Sequence, residues 1–258
     1  MNFLSDILLM LLSLPVMLIA LATHESAHGF VAYKLGDPTA RNLGRITLNP
    51  IKHFDLFGFL SMLVFHIGWA KPVPINARHF KNPRRDMALT GAAGPLSNLA
   101  LALIHLLVLR LAMLIIPHFF AQESFAFAYA FNTDQPFKGS LAFTIVALIL
   151  YLLYMGVALN VMLAIFNLIP IPPFDGSRIF YAFLPQKLYF GVMKYERYIM
   201  IGFIVLFLVL TYTGNNPLRM VEQYAIDGLL FITGLGTRTT SGIVLQNMCV
   251  YVQTLLSF

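Results

Sequence analysis

The feature that most limits the fold of this chain is its long apolar runs, of which the first, residues 7–22, contains no charged residue. Such a run is long enough on a helix to lie in a lipid bilayer. We predict membrane spans over about residues 4–33, 87–116, 141–166 and 198–212. Unsatisfied backbone polar groups are costly in hydrocarbon, so membrane-crossing segments of this kind fold as helices.

The composition places the whole chain in the membrane class. Of its 258 residues, 59% are hydrophobic and 11% are charged, whereas soluble domains carry about 25% charged residues. We therefore predict an all-α polytopic membrane protein, a helical bundle of about 4–6 membrane segments with a short re-entrant or edge-strand segment. The prediction is a single domain over residues 1–258, with a core over about 4–212 and a tail over 213–258 that forms interfacial or membrane helices.

The charge distribution predicts an orientation. The chain has 17 basic and 11 acidic residues, and the basic residues between 34 and 85 and between 178 and 197 flank the spans on one side, while residues 117–139 contain one basic residue, Lys138. The positive-inside rule then places the amino terminus outside and the basic loops in the cytoplasm. In a membrane protein this basic excess indicates anchoring, and nucleic acid is not an expected partner.

A metal-binding pattern follows the first apolar run: His24 and His28 are four residues apart, and Glu25 follows His24. On a helix, side chains four apart lie on one face. Two imidazoles at this spacing are typical of a zinc site, and the adjacent carboxylate can act as general base on a water at the metal. Ionisable groups in or near hydrocarbon are costly unless paired or metallated, which favours a functional site over a chance match.

The third metal ligand must be sought among other residues. The sole cysteine, Cys249, belongs to no pair, which leaves histidine and carboxylate ligands. Asp175 follows the third span in a proline-rich stretch where a helix cannot continue. A turn-forming Asp-Gly pair and a metal ligand both explain Asp175, and the two histidines at a similar depth favour the ligand. The remaining acids are expected to be solvated at ends or in loops: Asp6, Asp37, Asp55, Asp86, Glu123, Asp134, Glu196, Glu222 and Asp227.

Several other polar residues have two interpretations. His53, His66 and His79 are either additional ligands or, as favoured here, interfacial hydrogen-bonded histidines. Asn98, in the small-residue stretch 91–98, either packs between helices or faces a substrate path. Residues 56–69 are short for a span and predict a re-entrant piece, and the following residues to Asn76 predict an extended strand, because residues before proline avoid the helical region.

These motifs together resemble the site-2 proteases, a family of intramembrane zinc metalloproteases. The resemblance rests on residues 24–28, on the second motif at 167–176, and on segments 68–74 and 94–98, and it runs from about residue 10 to 212. It implies a zinc-dependent endopeptidase that cleaves transmembrane segments of membrane proteins. The chain differs from the family in having Phe174 where leucine is common, and in lacking PDZ and CBS domains.

The resemblance assigns expected roles to individual residues. It implies one Zn²⁺ per chain, bound by His24, His28 and Asp175, with Glu25 as general base. Asn167 would help to hold the oxyanion. The extended segment would pair with an unwound substrate by strand addition.

The expected partners are transmembrane protein substrates and the lipid bilayer of a prokaryotic inner membrane, with the site toward the cytoplasm. The alternatives are a membrane zinc carrier or transporter, which would need ligands at several depths, and a catalytically inactive homologue. A protease of the prenyl-protein type is a further alternative, but it would need a glutamate on another apolar helix. Glu25 is the only glutamate within a long apolar segment.

Overall fold

The structure, a computed structural model, describes residues 3–65, 68–120, 122, 139–213, 224 and 226–228. No β-strand occurs within these ranges, and the predicted all-α class is confirmed. Two short 3₁₀ turns lie at Pro50–Lys52 and Ala77–His79. The helices are α1 (Phe3–Lys34), α2 (Thr39–Asn42), α3 (Leu56–Phe65), α4 (Pro83–Phe119), α5 (Leu141–Asn167), α6 (Asp175–Ala182) and α7 (Gln186–Tyr212).

Three of these helices are long and apolar enough to cross a membrane: α1 from Met10, α4 to Ile116, and α5 over its whole length. They correspond to the first three predicted spans, and the chain is a polytopic helical membrane protein. Helix α7 begins at Gln186, whereas the predicted fourth span begins at about residue 198. The charged residues just before that span, Lys194, Glu196 and Arg197, are good helix formers, so the helix extends through them toward the amino terminus. Membrane crossing by the apolar end of α7 stays a prediction.

Helix α4 has an apolar outer face. Leu103, Leu107, Leu111 and Leu114 recur at helical spacing, and each is at least half exposed. A continuous exposed stripe of leucines is unfavourable in water and favourable against lipid tails. This surface is therefore suited to a bilayer.

Contacts divide the chain into two compact units, residues 1–17, 101–159 and 223–258, and residues 18–100 and 160–222. In the first unit the largest buried side chains are apolar, among them Leu106, Leu109 and Phe143. The second unit contains all the buried polar residues of the described chain: His24, Ser26, His28, Asp37, His53, Asp86, Thr90, Asn98, Asn160 and Ser177. Buried polar groups need hydrogen-bond partners, so this second unit holds a connected polar interior.

Between α1 and α4 the chain folds back through α3 and residues 68–76, which keep the name of the sequence prediction, the extended stretch. A side chain at Gly58 of α3 would collide with the backbone carbonyl of Trp69, so glycine allows the two segments to pack closely. The Lys71 N–H donates to the His53 carbonyl at 2.9 Å. Asn76 has extended backbone angles, but the stretch forms no β-strand in the part of the chain that the structure describes, so the predicted strand is not found.

The prediction that Asp37 and Asp86 are solvated is wrong, because both carboxylates are buried and hydrogen-bonded. Asp86 accepts from the Asn82 N–H at 3.0 Å and from Arg85 Nε at 2.9 Å, and so closes the first turn of α4. Such local hydrogen bonds offset the cost of burying a carboxylate.

Asp37 ties the extended stretch to the end of α1. Its carboxylate accepts from the Asn76 N–H at 2.7 Å, from the Thr39 hydroxyl at 2.5 Å and from the Thr39 N–H at 3.1 Å, and it contacts Nδ1 of His79 at 2.8 Å. Burial would raise the pKa of Asp37, but these hydrogen bonds outweigh burial and lower its pKa below the ordinary value.

Asp37→Asn is expected to lower the free energy of unfolding by about 1–3 kcal/mol at neutral pH, because buried donors lose their charged acceptor. A lowered pKa means that the carboxylate stabilises the fold above its unfolded pKa and loses this effect as pH falls through the folded pKa. Thermal unfolding in detergent should therefore show a higher midpoint for wild type than for the variant, and this difference in midpoint should become smaller below about pH 4. Asp55→Asn is the control. Its expected loss of unfolding free energy is smaller, because the Asp55 carboxylate accepts the N–H of Gly58, whereas the Asp37 carboxylate has four contacts.

Three sequence predictions fall mostly or wholly outside the described residues. These are the loop at 117–139, the tail at 213–258, and His66.

Candidate active site

Three side chains predicted as ligands converge in the second unit. Nε2 of His24 lies 3.0 Å from Oδ2 of Asp175, Nε2 of His28 lies 3.2 Å from the same oxygen, and the two Nε2 atoms are 3.0 Å apart. Ligand atoms on one tetrahedral zinc ion lie about 3.3 Å apart, given metal–ligand bonds of about 2.0–2.1 Å. The three atoms therefore have the separation that a shared metal ion requires.

Asp175 reaches this position because α5 ends before it. The prolines after Asn167 stop the helix, and Asp175 begins α6. Phe174 packs edge-on against Phe166 at 4.4 Å and against Phe203 at 5.1 Å between ring centroids. The phenylalanine that departs from the family pattern thus anchors the turn that presents Asp175.

Asn98 orients the first imidazole. Its Oδ1 lies 2.5 Å from Nδ1 of His24, while its Nδ2 donates to the Ala20 carbonyl at 3.3 Å and to Oδ1 of Asn160 at 2.8 Å. Two acceptors around Nδ2 fix which way the amide points, so Oδ1 must accept from His24. His24 therefore carries its proton on Nδ1, and its Nε2 lone pair faces the other ligands.

The second imidazole is held in the same way. Nδ1 of His28 donates to the Thr90 carbonyl at 2.7 Å. The Nε2 lone pair of His28 therefore also faces the cluster.

This arrangement fits a cation. Two neutral imidazoles would place their Nε2 lone pairs about 3 Å from each other and from a carboxylate oxygen, which is repulsive without a positive charge between them. Burial raises the pKa of Asp175, whereas hydrogen bonds from imidazoles that carry a proton on Nε2 lower it to about 2. A metal ion in the place of those Nε2 protons would favour the ionised carboxylate in the same way, and Asp175 would then be available as a ligand.

Gly94 allows α4 to approach the two histidines. A Cβ at this position would lie 2.5 Å from Nε2 of His24 and 2.5 Å from Nε2 of His28. Any side chain there would displace the ligand atoms. The small residues at 91–98 thus serve the site as well as helix packing.

Glu25 is held by the extended stretch. Its Oε2 accepts from the Val73 N–H at 2.7 Å. Val73 itself is buried against α1, where a Cβ on Gly29 would lie 3.2 Å from Cγ1 of Val73. The carboxylate predicted as general base is therefore fixed by the backbone of residues 68–76.

The structure does not bring every predicted residue into the cluster. One N–H of the Asn167 amide donates to the Leu163 carbonyl at 2.9 Å, so an oxyanion role would use its other N–H or another rotamer, and it stays a prediction. His53 and His79 are hydrogen-bonded to Thr47 and Asp37, as favoured from the sequence.

Asn160 and Thr90 were not singled out from the sequence, and Gly94 was noted there for helix packing and not for its closeness to the ligands. Asn160 had a signal, since it is the one amide within the uncharged run 141–166. Thr90 acts through its backbone carbonyl, which any residue would supply, and so it left no signal.

Comparison with known proteins agrees with this geometry. A Bacillus subtilis (strain 168) protein named "Putative zinc metalloprotease YwhC" is 39% identical over 214 residues, which cover 83% of this chain and 87% of that protein. No solved structure matches the chain significantly. The model of Peptidase family M50 matches residues 12–210. The chain therefore belongs to Peptidase family M50, the site-2 protease family, as the motifs predicted.

Proposed function

We propose that this protein is a zinc-dependent intramembrane endopeptidase that cleaves transmembrane segments of other membrane proteins. The observation that carries the proposal is the convergence of two Nε2 atoms and one carboxylate oxygen within 3.2 Å, with both Nδ1 atoms already hydrogen-bonded elsewhere. His24, His28 and Asp175 would hold one zinc ion. Zinc is the metal that such a nitrogen and oxygen set favours when an open position remains for water.

Zinc at this site would polarise the scissile carbonyl and make water acidic enough to attack near neutral pH. Glu25 takes the proton from the attacking water and passes it to the leaving amine, so one carboxylate serves as base and then as acid. The Val73 N–H holds Oε2 of Glu25, which leaves Oε1 to carry the proton. The water oxygen forms a bond to the carbonyl carbon and the C–N bond of the amide breaks. The second proton of the water stays on the new carboxylic acid, and the first is on the new amine.

The substrate segment must unwind before it can react, because an intact helix buries its carbonyls in backbone hydrogen bonds. We propose that the extended stretch at 68–76 receives it. The N–H groups of Lys71 and Val73 are already donated within the protein, and Pro72 and Pro74 have none. A substrate strand would therefore donate its own N–H groups to carbonyls of this stretch, of which those of Lys71 and Pro72 already accept from Arg45 at 2.7 and 3.3 Å, rather than form a full two-way ladder.

The proposed orientation follows the basic residues. Arg78 and Lys81 precede α4, Arg84 and Arg85 lie in its first turn, and Arg178 lies in α6 beside the site. The positive-inside rule puts these residues in the cytoplasm, and the amino terminus outside. The site would then lie toward the cytoplasmic face of a prokaryotic cell membrane, where water can reach it.

Asn98→Ala is expected to weaken zinc affinity by about 10–100-fold, the usual cost of losing the hydrogen-bond partner of a ligand histidine. The imidazole of His24 would lose its fixed tautomer. Competition with a chelator of known affinity measures the change. Ser97→Ala is the matched control, since the Ser97 hydroxyl donates to Gly94 within its own helix, and it should bind zinc as wild type does.

The proposed function is tested by metal removal. Protein purified in detergent should contain one zinc per chain, lose cleavage of a model transmembrane substrate after chelation, and regain cleavage when zinc is restored. Cleavage is read by mass spectrometry of the products. Zinc binding without cleavage of any transmembrane substrate would favour a carrier or an inactive homologue, and a protein that binds no zinc would refute the site.

A further inference from the structure

A groove of about 1000 Å³ lies between the first turns of α4 and the end of α6. Its lining includes Arg84, Arg85, Leu89 and Ala92 from α4, and Ile179 and Phe183 from the other wall. The groove does not include the metal ligands. Its volume is at the upper end of the range of sites for small molecules and cofactors.

The lining is divided by chemistry along the axis of α4. Arg84 and Arg85 lie at the amino-terminal end, and Leu89 and Ala92 lie one to two turns further along, about 12 Å from the first arginine to the last alanine. Phe183 is 81% exposed at the opposite wall, and Leu89 is 47% exposed. A charged end and an apolar wall of this length match a headgroup followed by an acyl chain.

The charged end is net positive. The run from residue 78 to residue 86 contains Arg78, Lys81, Arg84 and Arg85 against Asp86, a formal net charge of +3, and Asp86 pairs with Arg85 at 2.9 Å. The amino-terminal end of α4 contributes partial positive charge as well. Such basic pockets beside membrane helices favour anionic headgroups over zwitterionic ones.

We propose that this groove binds an anionic phospholipid of the bilayer, with its phosphate at Arg84 and Arg85 and an acyl chain along Leu89, Ala92 and Ile179. The occupant comes from the lipid phase, because the groove opens beside a helix that is apolar enough to cross a membrane. The inference does not depend on peptidase activity.

A bound lipid would brace the helix that carries a metal ligand. Ile179 lies one turn after Asp175 in α6. On the α4 side, a Cβ on Gly91 would lie 3.2 Å from the Asp175 carbonyl, which shows how closely the two helices pack beside the groove. An occupant packed against both helices should therefore stabilise the position of Asp175.

The test is native mass spectrometry of the full-length protein, released from mixed micelles that contain equal phosphatidylglycerol and phosphatidylcholine. Wild type should retain phosphatidylglycerol preferentially. Arg84→Gln should weaken this retention about fivefold, the contribution of one basic side chain near an anionic surface. Ala92→Trp should abolish it by filling the apolar wall without changing charge.

Lys81→Gln is the matched control, because it removes one positive charge from the same run but does not line the groove. Equal losses for Lys81→Gln and Arg84→Gln would mean diffuse surface charge and would overturn the proposal. Equal retention of the two lipids by wild type would do the same. Inorganic phosphate should leave the thermal unfolding midpoint unchanged while phosphatidylglycerol raises it, and equal shifts would overturn the assignment to a lipid.

Discussion

Replacing Glu25 by glutamine is expected to lower the rate of transmembrane-substrate cleavage by about 10²–10⁴-fold while the zinc content stays that of wild type. Glutamine keeps the size of the side chain and can still accept the Val73 N–H, so the extended stretch should stay in place. What is lost is a group that can take a proton from the attacking water. The measurement is single-turnover cleavage in detergent, with zinc determined on the same preparations.

Glu196→Gln is the matched control for this experiment. Glu196 lies on α7, pairs with Arg178 at 3.4 Å, and is not one of the three residues of the metal cluster. The Glu196→Gln protein should cleave the substrate at the wild-type rate. A Glu25→Gln protein with wild-type zinc content and cleavage within a few fold of wild type would refute the general-base role.

Asp175→Ala is expected to have the second large effect, a loss of zinc affinity of more than about 100-fold, which exceeds the usual cost of losing the hydrogen-bond partner of one ligand histidine. Two imidazoles would remain, without the anionic ligand that balances the charge of the ion. Cleavage should fall with occupancy. Zinc content after dialysis against buffered zinc, and cleavage at saturating zinc, separate weakened binding from a lost reaction step.

Asp227→Ala controls for the loss of a carboxylate, because Asp227 is exposed. Its zinc content should equal that of wild type. Full zinc occupancy in Asp175→Ala at the same buffered concentration would remove Asp175 from the ligand set and require another carboxylate or histidine in its place.

The sequence was sufficient for the helical class and for the first half of the site. The length and charge of an apolar run decide whether it can lie in lipid, and the spacing of His24 and His28 puts both side chains on one helix face. These are local properties of the chain. The first three predicted spans accordingly agree with α1, α4 and α5 to within a few residues.

Of the two acids wrongly predicted as solvated, Asp86 is buried with local partners, whereas the burial of Asp37 depends on distant ones. Asp37 and Asp86 lie outside the apolar runs, which predicts solvated carboxylates. Asp37 is nevertheless buried, because Asn76 and His79, about forty residues away, donate to it. Pattern alone cannot show such a contact, since the spacing of the partners carries no period.

Sequence and tertiary structure thus decided different parts of this protein. The motif alone determined which atoms could bind a metal and which carboxylate could act as base. Only the fold brought Asp175 to His24 across 151 residues and Asn98 to the same ring across 74. The physical reason is that helix periodicity orders side chains over a few turns, whereas the packing of α1, α4 and α6 at glycines such as Gly94 sets which distant groups share a buried polar centre.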